Sequence, residues 1–363
     1  MQAMTMKKMA ELMPVFWRTR RPIYLWGKSG CGKSTHMHNW VLRMKKDLGQ
    51  FNMIDCRAST MDPMDVAGLP GLDKSQGETI EDWIARFVPF DRFPNEERDG
   101  QYGVLMLEEL SSAPEIVQTA LYQLLFDRKI GNYELPEGWW VVALGNRTED
   151  NGVVFETPSP VANRFINHIL INPDVDDFFR YSLREDNNLR IEPAQYLKFR
   201  PENAFTYDPT NEEVCDKCFG SFRTWSYVSE LMDAFEAEGM KIVGNEDFEL
   251  VVKNCVGDGA GGEFCSFLVC CEKCPDLKEM IKNPETHAIP SMEGDNASIG
   301  WAVTVGLFNH SNIRSAPAII KIGMRLPLEF SKVLFDLCEN IVGFKECTQF
   351  CDWQMKCKHI RGL

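Results

Sequence analysis

Apolar residues in this chain follow two rhythms. Short unbroken runs occur at Ile23-Tyr24-Leu25-Trp26, Gly103-Val104-Leu105-Met106-Leu107 and Trp140-Val141-Val142-Ala143-Leu144. Runs of this length without polar alternation predict buried strands, as in a parallel sheet. Phe51-Asn52-Met53-Ile54-Asp55 predicts a further strand, second in chain order, and His168-Ile169-Leu170-Ile171-Asn172 is a candidate fifth. Between them the spacing becomes helical. Met37, Trp40, Val41, Met44 and Leu48 share one face, and Val117, Leu121, Leu124 and Leu125 another. Residues 5–18 predict a short amphipathic helix ahead of Pro22. Residues 60–72, punctuated by Pro63, Gly68, Pro70 and Gly71, predict a loop or irregular insert. Residues 79–90 predict a helix and 91–101 a surface loop. Ser112-Ala113-Pro114-Glu115 predicts a helix start with a capping box, and residues 129–135 a hairpin turning at Gly131-Asn132.

Strands alternating with helices over residues 20–172 predict an α/β domain with a mostly parallel sheet. After residue 173 the pattern is helical, at 174–184, 223–238, 247–255, 263–271, 313–325 and 328–341. The expected organisation is an N-terminal helix (1–20), an α/β domain (21–173) and a helical region (174–363).

Composition narrows the class. The 363 residues, 44% hydrophobic and 25% charged, are those of a globular protein of about two domains. No apolar run approaches the ~20 residues of a membrane span. Lys7 and Lys8 precede no apolar signal core or cleavage site, so export is not expected. The net charge of −14 argues against a general nucleic-acid surface while leaving a local basic pore open. Thirteen cysteines, an odd number, fit reduced thiols in the cytoplasm.

The chemistry centres on Gly27-Lys28-Ser29-Gly30-Cys31-Gly32-Lys33-Ser34-Thr35, which fits the G-x-x-x-x-G-K-[S/T] phosphate loop. The glycines let backbone N–H groups turn inward around an anion, Lys33 reaches the β- and γ-phosphates, and Ser34 can ligate Mg²⁺. The helix that follows directs its positive end at the same anion. A plain Gly/Ser turn is the competing reading; a strand before and a helix after weigh against it. The run Val104-Leu105-Met106-Leu107-Glu108-Glu109 has the form of the second triphosphatase motif, its strand expected beside that of the phosphate loop. Glu108 is assigned to Mg²⁺ and Glu109 to polarising the attacking water. Two solvated carboxylates at a strand end are the alternative.

These motifs resemble the MoxR-type AAA+ ATPases, especially the branch common in phages and mobile elements. The resemblance also rests on residues 123–131 (QLLFDRKIG), Leu135-Pro136-Glu137-Gly138-Trp139, Ala143-Leu144-Gly145-Asn146-Arg147 and Ala162-Asn163-Arg164-Phe165. A weaker match runs through Phe222-Arg223-Thr224-Trp225 and residues 257–264. The resemblance implies an AAA+ P-loop domain, a three-layered αβα sandwich, followed by a helical lid. It implies that Asn146 is the sensor-1 residue, Arg164 an arginine finger for the neighbouring subunit, and Arg223 the sensor-2 residue acting in its own subunit. A turn-capping Asn, a surface ion pair and a solvated Arg are the respective alternatives. Residues 62–71 fall where this group carries an insert facing the ring pore or substrate. Glu108 departs from the usual Asp, moving the carboxylate by about one C–C bond, ~1.5 Å.

Two CxxC pairs, Cys215/Cys218 and Cys271/Cys274, raise a zinc reading, but their separation exceeds that of compact zinc motifs and the resemblance implies no zinc. The expected function is an ATPase using Mg²⁺ and ATP, assembled as a homo-oligomeric ring, hexameric in expectation. It would remodel a protein partner, with a von Willebrand factor A-type protein the partner class the resemblance implies. The rivals are a nucleic-acid motor or loader on the same fold and a nucleotide-binding assembly subunit with little turnover.

Overall fold

The computed structural model describes residues 3–73, 84–88, 91–147, 155, 162–184, 187–207, 218–272, 276–292, 297–339, 341 and 343–358. The chain divides into two compact units. The first comprises Met1–Asp177 with Ser221–Arg223 and a short further segment; the second holds most of the remainder, including Thr224–Leu363.

The first unit is built on a six-stranded parallel sheet. Its strands are β1 (Ala3–Met4), β2 (Ile23–Trp26), β3 (Asn52–Arg57), β6 (Gly103–Glu108), β9 (Trp139–Gly145) and β10 (Asn167–Ile171), in the order β1-β10-β2-β9-β6-β3. Helix α1 (Met6–Thr19) joins β1 to β2, and α2 (Lys33–Leu48) joins β2 to β3. Thr5 caps α1 by accepting the Lys8 amide. Both β6 and β9 are buried at every position, as their unbroken apolar runs require.

In β9 alternate side chains point to opposite faces, so adjacent indoles enter different layers. Trp140 meets Trp40 of α2 edge-on at 5.7 Å, whereas Trp139 joins the core with Leu105, Leu107 and Leu121. Both of these indole N–H groups are satisfied: Trp139 donates to Gly100 O and Trp140 to Arg21 O.

Several local expectations change. The second-motif strand β6 does not adjoin β2, because β9 lies between and pairs with both. An all-apolar run marks a strand as central but carries no code for its neighbours. Residues 60–72 are more ordered than a loop, with α3 (Pro63–Ala67) closed by an Asp62–Asp65 capping box, then β4 (Leu69–Asp73). Part of the helix expected at 79–90 is instead strand β5 (Ile84–Val88), antiparallel to β4; residues 79–83, 89 and 90 lie outside the described residues. Cross-strand pairing there overrides a weak helical spacing. Ser112 does not cap the next helix. It ends a 3-10 turn, and α5 (Glu115–Asp127) starts behind Pro114 with no side-chain cap. The 129–135 hairpin forms as β7 (Lys129–Ile130) and β8 (Tyr133–Glu134). Residues 91–101 also include the short helix α4 (Glu96–Asp99).

The helical region begins with α6 (Val175–Ser182), which crosses the unit boundary. It continues with α7 (Glu192–Phe199), α8 (Phe222–Ala237), α9 (Glu246–Val256), α10 (Asp258–Glu272), α11 (Leu277–Lys282), α12 (Ala297–Asn309), α13 (Ala316–Arg325), α14 (Leu328–Cys338) and α15 (Phe350–Lys358). In the second unit, Ile319, Ile320, Leu334, Phe335 and Trp353 share one core. There Gly323 lies so close to the Trp353 ring that a Cβ would stand 2.6 Å from it. Cys215 and Cys274 lie outside the described residues, and among the described residues no group of three or more His, Cys, Asp or Glu side chains is placed to hold a metal.

Candidate nucleotide site

In a parallel sheet every strand ends at the same edge, where loops and helix N-termini converge. The phosphate loop leaves that edge from β2. Gly27 donates its N–H to Gly145 O at the end of β9 (3.3 Å), tying the loop's first residue to the neighbouring strand. Gly30 and Gly32 take left-handed conformations, with φ of 70° and 91°. At Gly32, which opens α2, an added Cβ would meet no atom within 4 Å, so the loop faces open space there. At Gly30 a Cβ would strike the Ser221 hydroxyl at 2.6 Å. Glycine is therefore required at Gly30 by both backbone and neighbour.

The Lys33 ammonium is turned into its own loop. Nζ donates to Gly27 O (2.8 Å), Lys28 O (3.0 Å) and the Asn146 side-chain oxygen (3.1 Å). Asn146 follows β9, and its backbone N–H donates to the hydroxyl of buried Ser111. Two residues 113 positions apart thus meet as the phosphate-loop lysine and the expected sensor.

Two strands away, β6 ends at Glu108, which is 9% exposed. Its carboxylate pairs with Arg57 Nη2 of β3 at 3.4 Å. Glu109 stands in the left-handed region at φ 55°. For a non-glycine residue this costs ~1–3 kcal/mol and is characteristic of functional turns. The turn sends its side chain away from the strand. There the carboxylate accepts from the Ser59 hydroxyl and faces Arg57 Nε at 3.8 Å. Asp55 lies on the same face of β3 as Arg57. Desolvation, then the charges of Glu108 and Glu109, outweigh Arg57 and raise the Asp55 carboxyl to about 6. Arg57 and Ser59 were not singled out in the sequence. The signal available was Arg57's position at the end of an edge strand, which gained meaning only once β3 and β6 were paired.

Arg223 lies in the first turn of α8, and its N–H donates to Gly30 O at 3.2 Å; its side chain is exposed. Residues 221–223 pack as part of the first unit, so this contact is internal to it. Arg164 is placed apart from these groups. The register sets Asn167 opposite Ile23, and Ile166 N–H donates to Pro22 O, so residues just before β10 lie near the start of β2. The phosphate loop leaves the other end. The Arg164 guanidinium donates to Tyr122 O (2.6 Å) and rests over the Tyr122 and Phe126 rings of α5, at 5.3 and 5.4 Å.

The donor set fits a nucleoside triphosphate with Mg²⁺. An ammonium seated among loop oxygens, at the positive end of a helix, is matched to an anion. A hydroxyl and a buried carboxylate are the hard oxygen donors that Mg²⁺ takes. The sheet, loop, following helix and paired acids define a phosphate-loop α/β nucleotide-binding fold.

No family model matches the sequence, and no curated protein matches it. Solved structures similar to this chain include three of note. A mutant of RuvB from Thermotoga maritima is 13% identical over 84% of this chain and 83% of its own, TM-score 0.38. The ORC2 protein of Aeropyrum pernix is 13% identical over 97% and 84%, TM-score 0.40. NtrX of Brucella abortus in complex with ATP is 11% identical over 99% and 68%, TM-score 0.38. At TM-scores this low, the assignment rests on the chain's own geometry.

Proposed function

We propose that this chain is a MoxR-like AAA+ ATPase that works as a homo-oligomeric ring, hexameric by resemblance, and remodels a protein partner. The domains of this reading are the N-terminal helix 1–20, the nucleotide-binding domain 21–173 and the helical region 174–363. The observation that carries it is the meeting of Lys33 with Asn146 at 3.1 Å inside the phosphate loop. Residues 27–35 hold ATP. Ser34 and Glu108 would hold Mg²⁺, which when bound neutralises phosphate charge.

Glu109 takes a proton from the water that attacks the γ-phosphorus, as the bond to the bridging oxygen of ADP breaks. Asn146 orients that water without adding charge. Arg164 serves the neighbour's nucleotide and Arg223 its own. Exposed Leu69, Leu72, Phe87 and Val88 on the antiparallel pair β4 and β5 support a polypeptide substrate contact near the 62–71 insert. A von Willebrand factor A-type protein is the partner class this reading favours.

The test is steady-state ATP turnover with Glu109→Gln, which keeps shape and removes the base. Turnover should fall ~10²–10⁴-fold while ATP binding persists. Undiminished turnover would overturn the assignment. Glu109→Gln rings then serve as a trap for the partner.

A further inference from the structure

His168 is not used by any step above, yet it is joined to two parts of the proposed machinery. Its Nδ1 receives the indole N–H of Trp26 at 3.0 Å, and its Nε2 lies 2.7 Å from Ala162 O. An indole nitrogen can only donate and a carbonyl can only accept. The arrangement that serves both partners keeps Nδ1 as the acceptor and places an N–H on Nε2.

Both partners matter by position. Trp26 is the last residue of β2, bonded covalently to Gly27 of the phosphate loop. Ala162 lies two residues before Arg164. The ring is also fixed by packing, with Phe165 edge-on at 5.4 Å and Tyr24 at 5.6 Å. Tyr24 in turn stacks on Trp26 at 4.0 Å. The described arrangement is thus a two-bond bridge, Trp26 to His168 to Ala162, between the strand that opens the phosphate loop and the segment that carries Arg164.

We propose that His168 is a positioning residue that sets the Arg164 segment from the end of β2, so that the finger offered to the neighbouring subunit depends on the chain's own phosphate-loop strand. This rests on the reading of Arg164 as a finger acting in trans. In this role His168 acts through Ala162 and the backbone that presents the guanidinium. Placement errors of about 1 Å can cost on the order of 10²-fold in rate.

The experiment uses His168→Phe, which retains a ring for the Tyr24 and Phe165 contacts and removes both hydrogen bonds. His168→Gln supplies an acceptor and a donor in their place. ATP binding to His168→Phe should stay within a few-fold of wild type, and ring formation should persist. Its turnover should fall by about 10²-fold, with His168→Gln recovering most of the loss. Trp26→Phe, which removes the donor from the other side, should lower turnover in the same direction if His168→Phe does not fold.

Mixing then separates the roles. A His168→Phe subunit has an intact Glu109 and lacks only a well-placed finger for its neighbour. Glu109→Gln subunits should supply a sound finger to it and restore part of the activity, as they should for Arg164→Ala subunits. If Arg164→Ala mixtures recover and those of His168→Phe (or, in its place, Trp26→Phe) do not, the bridge acts on its own subunit's nucleotide and the proposal is overturned. If Arg164→Ala mixtures that form rings recover nothing, the finger reading fails and the proposal falls with it. If the single variants turn over ATP like wild type, the bridge is structural only and the proposal is likewise overturned.

Discussion

Lys33 keeps its ammonium inside its own loop, where its partners include two loop carbonyls and the Asn146 amide oxygen. The β- and γ-phosphate oxygens carry a negative charge that these acceptors lack, so trading them for phosphate is electrostatically favourable. Lys33→Ala should abolish tight ATP binding in calorimetry while leaving the fold intact, because Lys33 lies in the first turn of α2 and is not among the core residues; wild-type affinity in the variant would displace the site. Asp55 gives a pH signature. Its folded carboxyl stands at about 6, above the ordinary Asp range. The stability attached to its protonated form is present below its ordinary pKa and lost as pH rises through about 6. Asp55→Asn should therefore melt higher than wild type above pH ~6, with the two converging near pH ~4. Melting of the nucleotide-free, Mg²⁺-free protein across that range reads this, and a constant offset would sink it. Solvent reaches Asp55, so the effect is screened.

At the scale of elements, the phosphate loop and five of the six strands of the main sheet were legible because both are written locally: glycine at fixed intervals, and short apolar stretches, unbroken in β2 and β9 and interrupted by polar residues in β3 and β10. Pairing is not local. The insertion of β9 between β2 and β6 joins residues more than a hundred positions apart, and nothing in either run encodes it. The same holds for Arg57, whose partners on β6 are set by register. The β5 strand was missed because half of it reads as a helical face until β4 is set beside it. Gly103 shows what packing adds to a residue that pattern alone leaves plain. A Cβ there would fall 2.6 Å from Asn52 O and 2.7 Å from the Trp139 ring. Gly103→Ala should destabilise the first unit by ~1–3 kcal/mol in denaturant titration, the range for overpacking a tight core. An unchanged midpoint would mean that β3 or the indole shifts freely.

For the whole molecule, the open sides of the main sheet have a consequence for handling the protein in solution. Every open sheet has two unpaired rims, and each is a template for another chain. One rim is β3, where Asp55 and Arg57 place charge. The other would be β10, were it not covered by β1, a strand of only two residues. Met4 O accepts the Asn172 amide, and Lys7 N–H donates to Asp177, so the cover is stitched at its end. Deleting residues 1–4 keeps Thr5 as the α1 cap but bares the backbone of β10 beside buried Ile169 and Ile171. Light scattering on the shortened chain should show concentration-dependent growth beyond ring-sized species that the uncut chain lacks; equal size distributions would mean that β1 is dispensable. By the same reasoning, any change that unseats the two residues of β1 leaves the β10 rim as an open seat for a strand of a second chain.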